Sequence, residues 1–341
     1  MLRSMPPSNA IGPAEPNPQI AVIVPAYGVA HLLAEALDSL LAQDFTNWEA
    51  IVIDDGAPDD VAAAVAPYLA DCRFRFISTA NHGVSAARNH AIAHTRAPLI
   101  ALLDGDDLLA PTYLAHMAAA MAADQDASLV TCNARIFGVV PVETLAIPAG
   151  HLMPRTATAL DLLKNDFSVY IGSTFRRTDW EKIGGFDTAM THAEDLDFWV
   201  RLLLAGGHAR YIDAVLGHYR VRGNSASSNN LALINGRIRL LQKIIEAHRG
   251  TAEAQYADVR LATENANATL ESAIVATING DVANGLVALR LQRARLKGTV
   301  WAISFRLWRV FPKLAPAMLA WRMRRHTHSV AANDFVQKQG A

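Results

Sequence analysis

The chain has 341 residues, 51% hydrophobic and 18% charged, with a formal net charge of −1 at pH 7. That composition excludes a disordered chain and a disulfide-stapled miniprotein, and the length suits one large domain with an appendage or two domains. The near-neutral total hides a division, because residues 282–333 carry ten Lys or Arg and no Asp or Glu, which leaves the remainder at −11.

In chain order, residues 1–18 are rich in Pro and Asn, lack the apolar core of a signal peptide and read as a disordered lead. From there, apolar runs alternate with helical patterns. Strands are expected at 20–25 (IAVIVP), 49–55 (EAIVIDD), 73–78 (RFRFIS), 98–104 (PLIALLD) and 128–133 (SLVTCN). Helices are expected where Leu32, Leu33, Ala36, Leu37, Leu40 and Leu41 repeat, in SAARNHAIAH, and in PTYLAHMAAAMAA, with Pro111 in the first turn of the last. Continuous apolar strands separated by helices imply an α/β fold with a mainly parallel sheet covered on both faces. The expected domains are 19–228 for this α/β unit and 229–341 for a helical region, within which Asn279-Gly280-Asp281 makes a helix–helix turn. Cys72 and Cys132 fall in apolar stretches without metal-ligand spacing, so both are expected as buried small hydrophobes of a reducing compartment. No run reaches the roughly 18 apolar residues of a spanning helix.

Ligands of open parallel sheets gather at the carboxyl ends of strands, and three such ends here carry turn residues or acids: Pro25-Ala26-Tyr27-Gly28, Asp54-Asp55-Gly56 and Asp104-Gly105-Asp106-Asp107. The third cluster costs Coulomb energy unless a cation offsets it. Oxygen ligands without a Cys or His cluster point to Mg²⁺ or Mn²⁺, ions that bridge carboxylates to substrate phosphates, so the expected substrate carries a diphosphate. Arg88, one turn inside a helix that starts near Gly83, suits an anion. Tyr27 offers a ring to a base, and Asp55 an acceptor for the N3–H of uracil or thymine.

Six segments, VPAYG…LDSLLAQDFTNWEAIVIDDGAPDD, NHGVSAARNHAI, LIALLDGDDLLAPTYL, RRTDWEKIGGFDTAM, HAEDLDFWVRLLLAG and HYRVRGNSAS, resemble in that order the family 2 glycosyltransferases of GT-A fold. The resemblance implies inverting, metal-dependent transfer of a sugar from a nucleotide diphosphate to an acceptor hydroxyl. By it, Pro25, Tyr27 and Asp55 hold the base, Arg88 lies near the nucleotide, Asp104 and Asp106 form the Asp-x-Asp metal and ribose motif, and Asp195 is the catalytic base. A carboxylate on the acceptor side is what inversion in one displacement requires. Glu194 is the next candidate for that role and a donor contact. Ser173, between Gly172 and Thr174, is a candidate to line the sugar pocket, and Trp199 either stacks on a sugar or belongs to the core.

The chain departs from the family at Gly28 and Ala57, where Asn and Ser are usual, and at Arg222, where relatives often carry His. Arg222 becomes a candidate phosphate contact, and His218 the candidate third protein ligand of the metal. The QxxRW signature of processive synthases is missing, which favours transfer of one sugar per encounter.

In the tail, Trp301, Phe305 and Trp308 recur at i, i+4 and i+7 among Arg306 and Arg309. That stripe suits the interface of an anionic bilayer, with internal packing and a nucleic-acid patch as competing readings; no nucleic-acid motif accompanies it. The expected enzyme is therefore cytoplasmic and peripheral on the inner membrane face, with a glycan or lipid-linked acceptor. A non-catalytic nucleotide-sugar-binding scaffold of the same fold is the alternative. A phosphatase expects its Asp-x-Asp after the first strand, not the fourth.

Overall fold

In the computed structural model, which describes residues 17–223 and 229–322, the run IAVIVPA forms β1 (Ile20–Ala26), buried along nearly its whole length. A strand without a polar face needs cover on both sides, and its neighbours β2 (Trp48–Asp55) and β4 (Leu99–Leu102) both run parallel to it. β3 (Phe74–Thr79) extends the sheet beyond β2. The helices between these strands bury the stripes that the sequence spacing requires. In α1 (Ala30–Leu41) these are Leu33, Ala36, Leu37 and Leu40, whereas Leu32 is only partly buried and Leu41, at the end of the helix, is exposed; in α3 (Val84–Ala93), after the short α2 (Val61–Val65), they include Ala87, Ala91 and Ile92.

The rest of the first unit adds β5 (Leu108–Leu109), α4 (Tyr113–Ala123), β6 (Ala127–Gly138), β7 (Thr144–Leu145), β8 (Thr156–Ala157), α5 (Ala159–Lys164), β9 (Thr174–Arg176), α6 (Arg177–Ile183), α7 (Glu194–Leu204) and β10 (His208–Val221). Sheet order is β3-β2-β1-β4-β9-β6-β10-β5. The long ladders β1–β2, β1–β4, β2–β3 and β6–β10 are parallel, as expected of a mainly parallel sheet, and β9 adds a short antiparallel strand between β4 and β6. The five expected strands are β1, β2, β3, β4 and β6. Pro111 precedes α4 instead of entering its first turn, because Thr112 is the residue before the helix. Cys132 is buried in β6, but Cys72 is exposed, since it sits in the turn before β3 and not within the strand.

From β1 the chain winds to β2 and β3 on one side, then crosses to β4 on the other. The strand order therefore reverses between β1 and β4, and a crevice opens at their carboxyl ends. Among the described residues, the first compact unit comprises 17–138 and 142–221, and the second 139–141 and 222–322. The lead at 1–16, the boundary expected at 228 and the cations beyond 322 lie outside the described residues.

The second unit is helical: α8 (Asn230–Ala247), α9 (Ala252–Ile278), α10 (Val282–Leu291), α11 (Thr299–Val310) and a last helix over 315–322. The turn at 279–281 is as expected, with the Asp281 carboxylate accepting from the Asn284 N–H to cap α10. Trp301, Phe305 and Trp308 do not face outward. They form a buried cluster with Ala273, Leu286, Leu289, Ala315 and Leu319, which corrects the bilayer reading of that stripe in favour of packing, here within the helical unit itself. None of the described helices is long and apolar enough to cross a membrane.

Candidate active site

Both ends of the acid loop are set by backbone hydrogen bonds. The Leu103 and Gly105 N–H groups donate to the Ile23 and Pro25 carbonyls at 3.0 and 3.3 Å, prolonging the β1–β4 ladder into the crevice. A Cβ on Gly105 would meet the Pro25 carbonyl oxygen at 3.1 Å and Val29 at 3.0 Å. This close approach explains the glycine between Asp104 and Asp106.

The three carboxylates behave differently. Asp104 and Asp106 are part-exposed, whereas Asp107 turns inward and is 2% exposed. One Asp107 oxygen accepts from the Arg220 N–H at 2.7 Å and the other is buried without a partner. Burial, then the charges of Asp104 and Asp106, push its carboxyl well above the usual range. Asp107 is thus an inward-facing anchor of the loop, and Asp104 and Asp106 are the two acids left facing outward. Two carboxylates with part-exposed oxygens and no thiolate suit a hard divalent cation, which would take its remaining ligands from substrate and water.

Arg88, on α3, is 2% exposed and joins two segments distant in sequence. Its Nη2 donates to Asp104 at 2.9 Å and its Nη1 to Glu194 at 3.2 Å. The guanidinium also lies over the Phe186 ring, 5.5 Å from its centroid. Asn89 beside it grips the turn before α7: its Nδ2 donates to the Phe186 carbonyl, and its Oδ1 accepts from the Phe186 N–H and the Trp180 indole, at 2.8, 2.8 and 3.0 Å. Adjacent side chains of α3 thereby hold the start of α7 against the end of β4. Sequence reasoning singled out Arg88 but missed Asn89, although the Arg-Asn pair stands in the quoted motif.

α7 begins after Ala193, a buried non-glycine residue at φ 55°. The left-handed conformation costs an L-residue about 1 to 2 kcal/mol, and such strain collects at functional sites. Glu194 and Asp195 follow at once. Burial, then the neighbouring Asp195 charge, push Glu194 up to about 7 against the opposing pull of Arg88. Asp195 is part-exposed and accepts from the Leu196 N–H at 2.8 Å. Asp197, two residues on, points away as its spacing predicts; it is buried and pairs with Arg201 at 2.7 Å.

At the β2 end, the Asp55 carboxylate accepts from the His82 and Gly83 N–H groups at 2.9 and 2.8 Å, which ties the loop before α3 to the sheet. Each oxygen keeps a second lone pair. Asp59, which sequence reasoning missed, accepts from the Gly28 and Ala30 N–H groups at 3.0 and 2.6 Å and caps α1 from another loop. Tyr27 is 53% exposed at the crevice edge, and Pro25 is half-buried at the end of β1.

Two expected contacts, Ser173 and Trp199, are placed differently. Ser173 is buried, its hydroxyl donating to the Tyr170 carbonyl and sharing a bond with Thr131 at 2.8 Å, so it ties the loop before β9 to β6. Trp199 is 1% exposed among Phe175 and Phe198, at 5.7 and 5.1 Å, and is core instead of a sugar platform. His218 sits edge-on to Phe137 at 6.3 Å; burial, then the Arg135 charge, lower its pKa. Among the described residues no three His, Cys, Asp or Glu side chains converge to hold a metal. Arg222 lies past β10, in the second unit. The arginine that sequence reasoning missed is Arg220, near the end of β10. It donates to the Asp106 carbonyl and to Glu35, both at 2.7 Å, and braces the acid loop from behind.

Comparison with known proteins matches residues 21–184 to the model of glycosyl transferase family 2. The chain is 26% identical over 229 residues to UDP-Glc:alpha-D-GlcNAc-diphosphoundecaprenol beta-1,3-glucosyltransferase WfgD of Escherichia coli, covering 67% of this chain and 87% of that one. Among solved structures, S. aureus TarS 1-349 in complex with UDP-GlcNAc superposes with a TM-score of 0.62 at 16% identity, over 93% of this chain and 92% of that one. The mannosyltransferase PcManGT of Pyrobaculum calidifontis, in complex with GDP-Man and Mn²⁺, gives 0.56 at 20% identity over 98% and 92%. These likenesses are to the GT-A fold, and the helical region lies within the span that they cover.

Proposed function

Because the chain belongs to glycosyl transferase family 2 and is a glycosyltransferase, we propose that it moves one sugar with inversion from a nucleoside diphosphate donor, UDP-linked by preference, to an acceptor hydroxyl. The observation that carries this is the Arg88 bridge, which sets the diphosphate-side acid Asp104 and the acceptor-side pair Glu194–Asp195 on either side of one buried guanidinium. Leaving group and attacking hydroxyl must stand on opposite sides of the anomeric carbon, and two acid clusters facing a shared gap suit that requirement.

In this reading Tyr27 and Asp55 receive the base, with the second lone pairs of Asp55 free to accept an N3–H. Asp104 and Asp106 would hold Mn²⁺ or Mg²⁺, which supplies Lewis-acid stabilisation of charge on the departing diphosphate. Asp195 takes the proton from the acceptor hydroxyl as its oxygen attacks the anomeric carbon. Arg88 and Asn89 keep that carboxylate in register with the donor, and Arg220 keeps the acid loop from retreating. WfgD acts, as its name states, from UDP-Glc onto a diphosphoundecaprenol-linked sugar. That supports a lipid-linked glycan acceptor and a working position peripheral to the inner membrane face, while the GDP-Man complex of PcManGT supports metal use and keeps a GDP donor in the test.

The test is a thermal-shift panel of UDP-, dTDP- and GDP-sugars with and without Mn²⁺, followed by transfer assays on Asp195→Asn. A ligand that binds only the folded state raises its melting temperature. The variant is expected to keep the donor shift and lose about 10² to 10⁴ in turnover. Donor binding without turnover in the wild type would favour the scaffold alternative.

A further inference from the structure

α11 is apolar on two sides. Its inner side places Trp301, Ser304, Phe305 and Trp308 in the core of the helical unit. An ordinary surface helix would then be polar opposite. Instead Ile303 and Val310, seven residues apart and on the outer side, are 60% and 67% exposed, and the chain continues into Phe311 and Leu314 at 56% and 45%. Of the large hydrophobic residues exposed among the described residues, half lie between Val287 and Trp321. Single exposed apolar side chains are common, but a concentration of this kind marks an interaction surface.

The charge around it selects the partner. Residues 282–322 contain eight Lys or Arg and no Asp or Glu. Three of the eight are engaged within the helical unit, Arg293 over Phe305, Arg322 over Trp301 and Arg295 donating to Asn267 at 2.7 Å. Arg306, Arg309 and Lys313 are exposed beside the apolar residues, with no carboxylate in ion-pair range among the described residues. We infer that the outer side of α11 and the turn after it, Ile303, Val310, Phe311 and Leu314 flanked by Arg306, Arg309 and Lys313, is a docking surface for an anionic lipid bilayer. Aliphatic and Phe side chains enter the acyl boundary while the cations meet headgroup phosphates. The residues differ from the Trp stripe that the sequence suggested, because that stripe faces inward. The inference rests on the proposed lipid-linked acceptor for its purpose and on the surface alone for its physics.

The experiment is co-sedimentation of the full chain with vesicles of phosphatidylcholine, or of phosphatidylcholine with phosphatidylglycerol, at low and high salt. Binding to the anionic vesicles at low salt is expected to exceed binding to neutral ones by about a hundredfold, given three cations near the surface, and to fall as salt rises. Phe311→Asp with Ile303→Asp should abolish binding, and Arg306→Gln with Arg309→Gln and Lys313→Gln should remove the salt dependence. Circular dichroism checks that each variant is folded; because all these positions are exposed, unchanged melting is expected. Wild-type protein that ignores anionic vesicles at low salt overturns the inference, as do folded variants that bind like wild type. So does light scattering showing a dimer that Phe311→Asp dissociates, which would assign the face to a second copy. The donor thermal shift, read on the same samples, separates the two readings: vesicle binding without a donor shift counts against the transferase reading alone, and the reverse against this one.

Discussion

The Arg88 guanidinium and the Asp104 carboxylate meet at 2.9 Å, the first at 2% side-chain exposure and the second at 29%. The cation is committed to the protein and the anion still reaches the crevice. Replacing Arg88 by Met leaves Asp104 and Glu194 facing each other without the charge between them. A loss of about 3 to 5 kcal/mol is expected from removing one partner of a buried pair. Urea unfolding monitored by circular dichroism reads it, and a loss below about 1 kcal/mol would mean that the bridge does not hold the site together.

Asp106→Asn and Asp107→Asn should part company. The first is expected to lose the Mn²⁺-dependent donor shift while melting at or above the wild-type temperature, because one charge leaves a repelling cluster. The second changes a side chain that faces inward, and its amide oxygen can still accept from the Arg220 N–H. Metal-dependent donor binding should survive it. Titration calorimetry with UDP and Mn²⁺ on both variants decides the matter.

Glu194 ionises near 4.5 when unfolded and near 7 in the folded protein, raised first by burial and then by Asp195. Between those values the unfolded chain gives up its proton before the folded one, so stability falls as pH rises through the window. The loss is about 3 kcal/mol once both states are ionised. Glu194→Gln should match wild type below the window, exceed it above, and flatten the curve between. Chemical denaturation of donor-free, metal-free protein on both sides of the window checks it.

Trp308 is 2% exposed, with Phe305 and Trp301 at 5.5 and 6.2 Å and its indole N–H donating to Met318 sulfur at 3.3 Å. Trp308→Ala should destabilise the helical unit by about 3 to 5 kcal/mol. A shift of the denaturation midpoint is the readout. An unchanged midpoint would return the aromatic stripe to solvent or lipid.

Much of the fold was legible because its signals are local. The run that became β1 is apolar throughout, that of β2 is apolar over residues 50–53 between acids, and the α1 stripe keeps helical spacing, so none of these depends on what lies far along the chain. β9 was not legible: three residues carry no periodicity, and only the gap between β4 and β6 makes Thr174–Arg176 a strand. The same division runs through the site. Asp104, Asp106 and Asp195 announce themselves by chemistry and position, but where Trp199 and Ser173 point depends on packing that no short motif encodes. Arg220 and Asp59 escaped notice because each serves a backbone segment over 25 residues away. The Trp stripe misled because inward and outward faces of a helix look alike when both are apolar.

The caps described at β1 and β3 bear on how a donor's charge is balanced. Many nucleotide-binding sheets quench a pyrophosphate with bare amides at a helix start. Here the entry to α1 already serves Asp59, and the His82 and Gly83 amides that lead into α3 already serve Asp55. A polyanion entering this crevice finds those amides answered by carboxylates, and the nearest guanidinium locked between two more. On the proposed metal-dependent reading, charge neutrality arrives from solution with the donor, and chelation should abolish donor capture before it touches any later step.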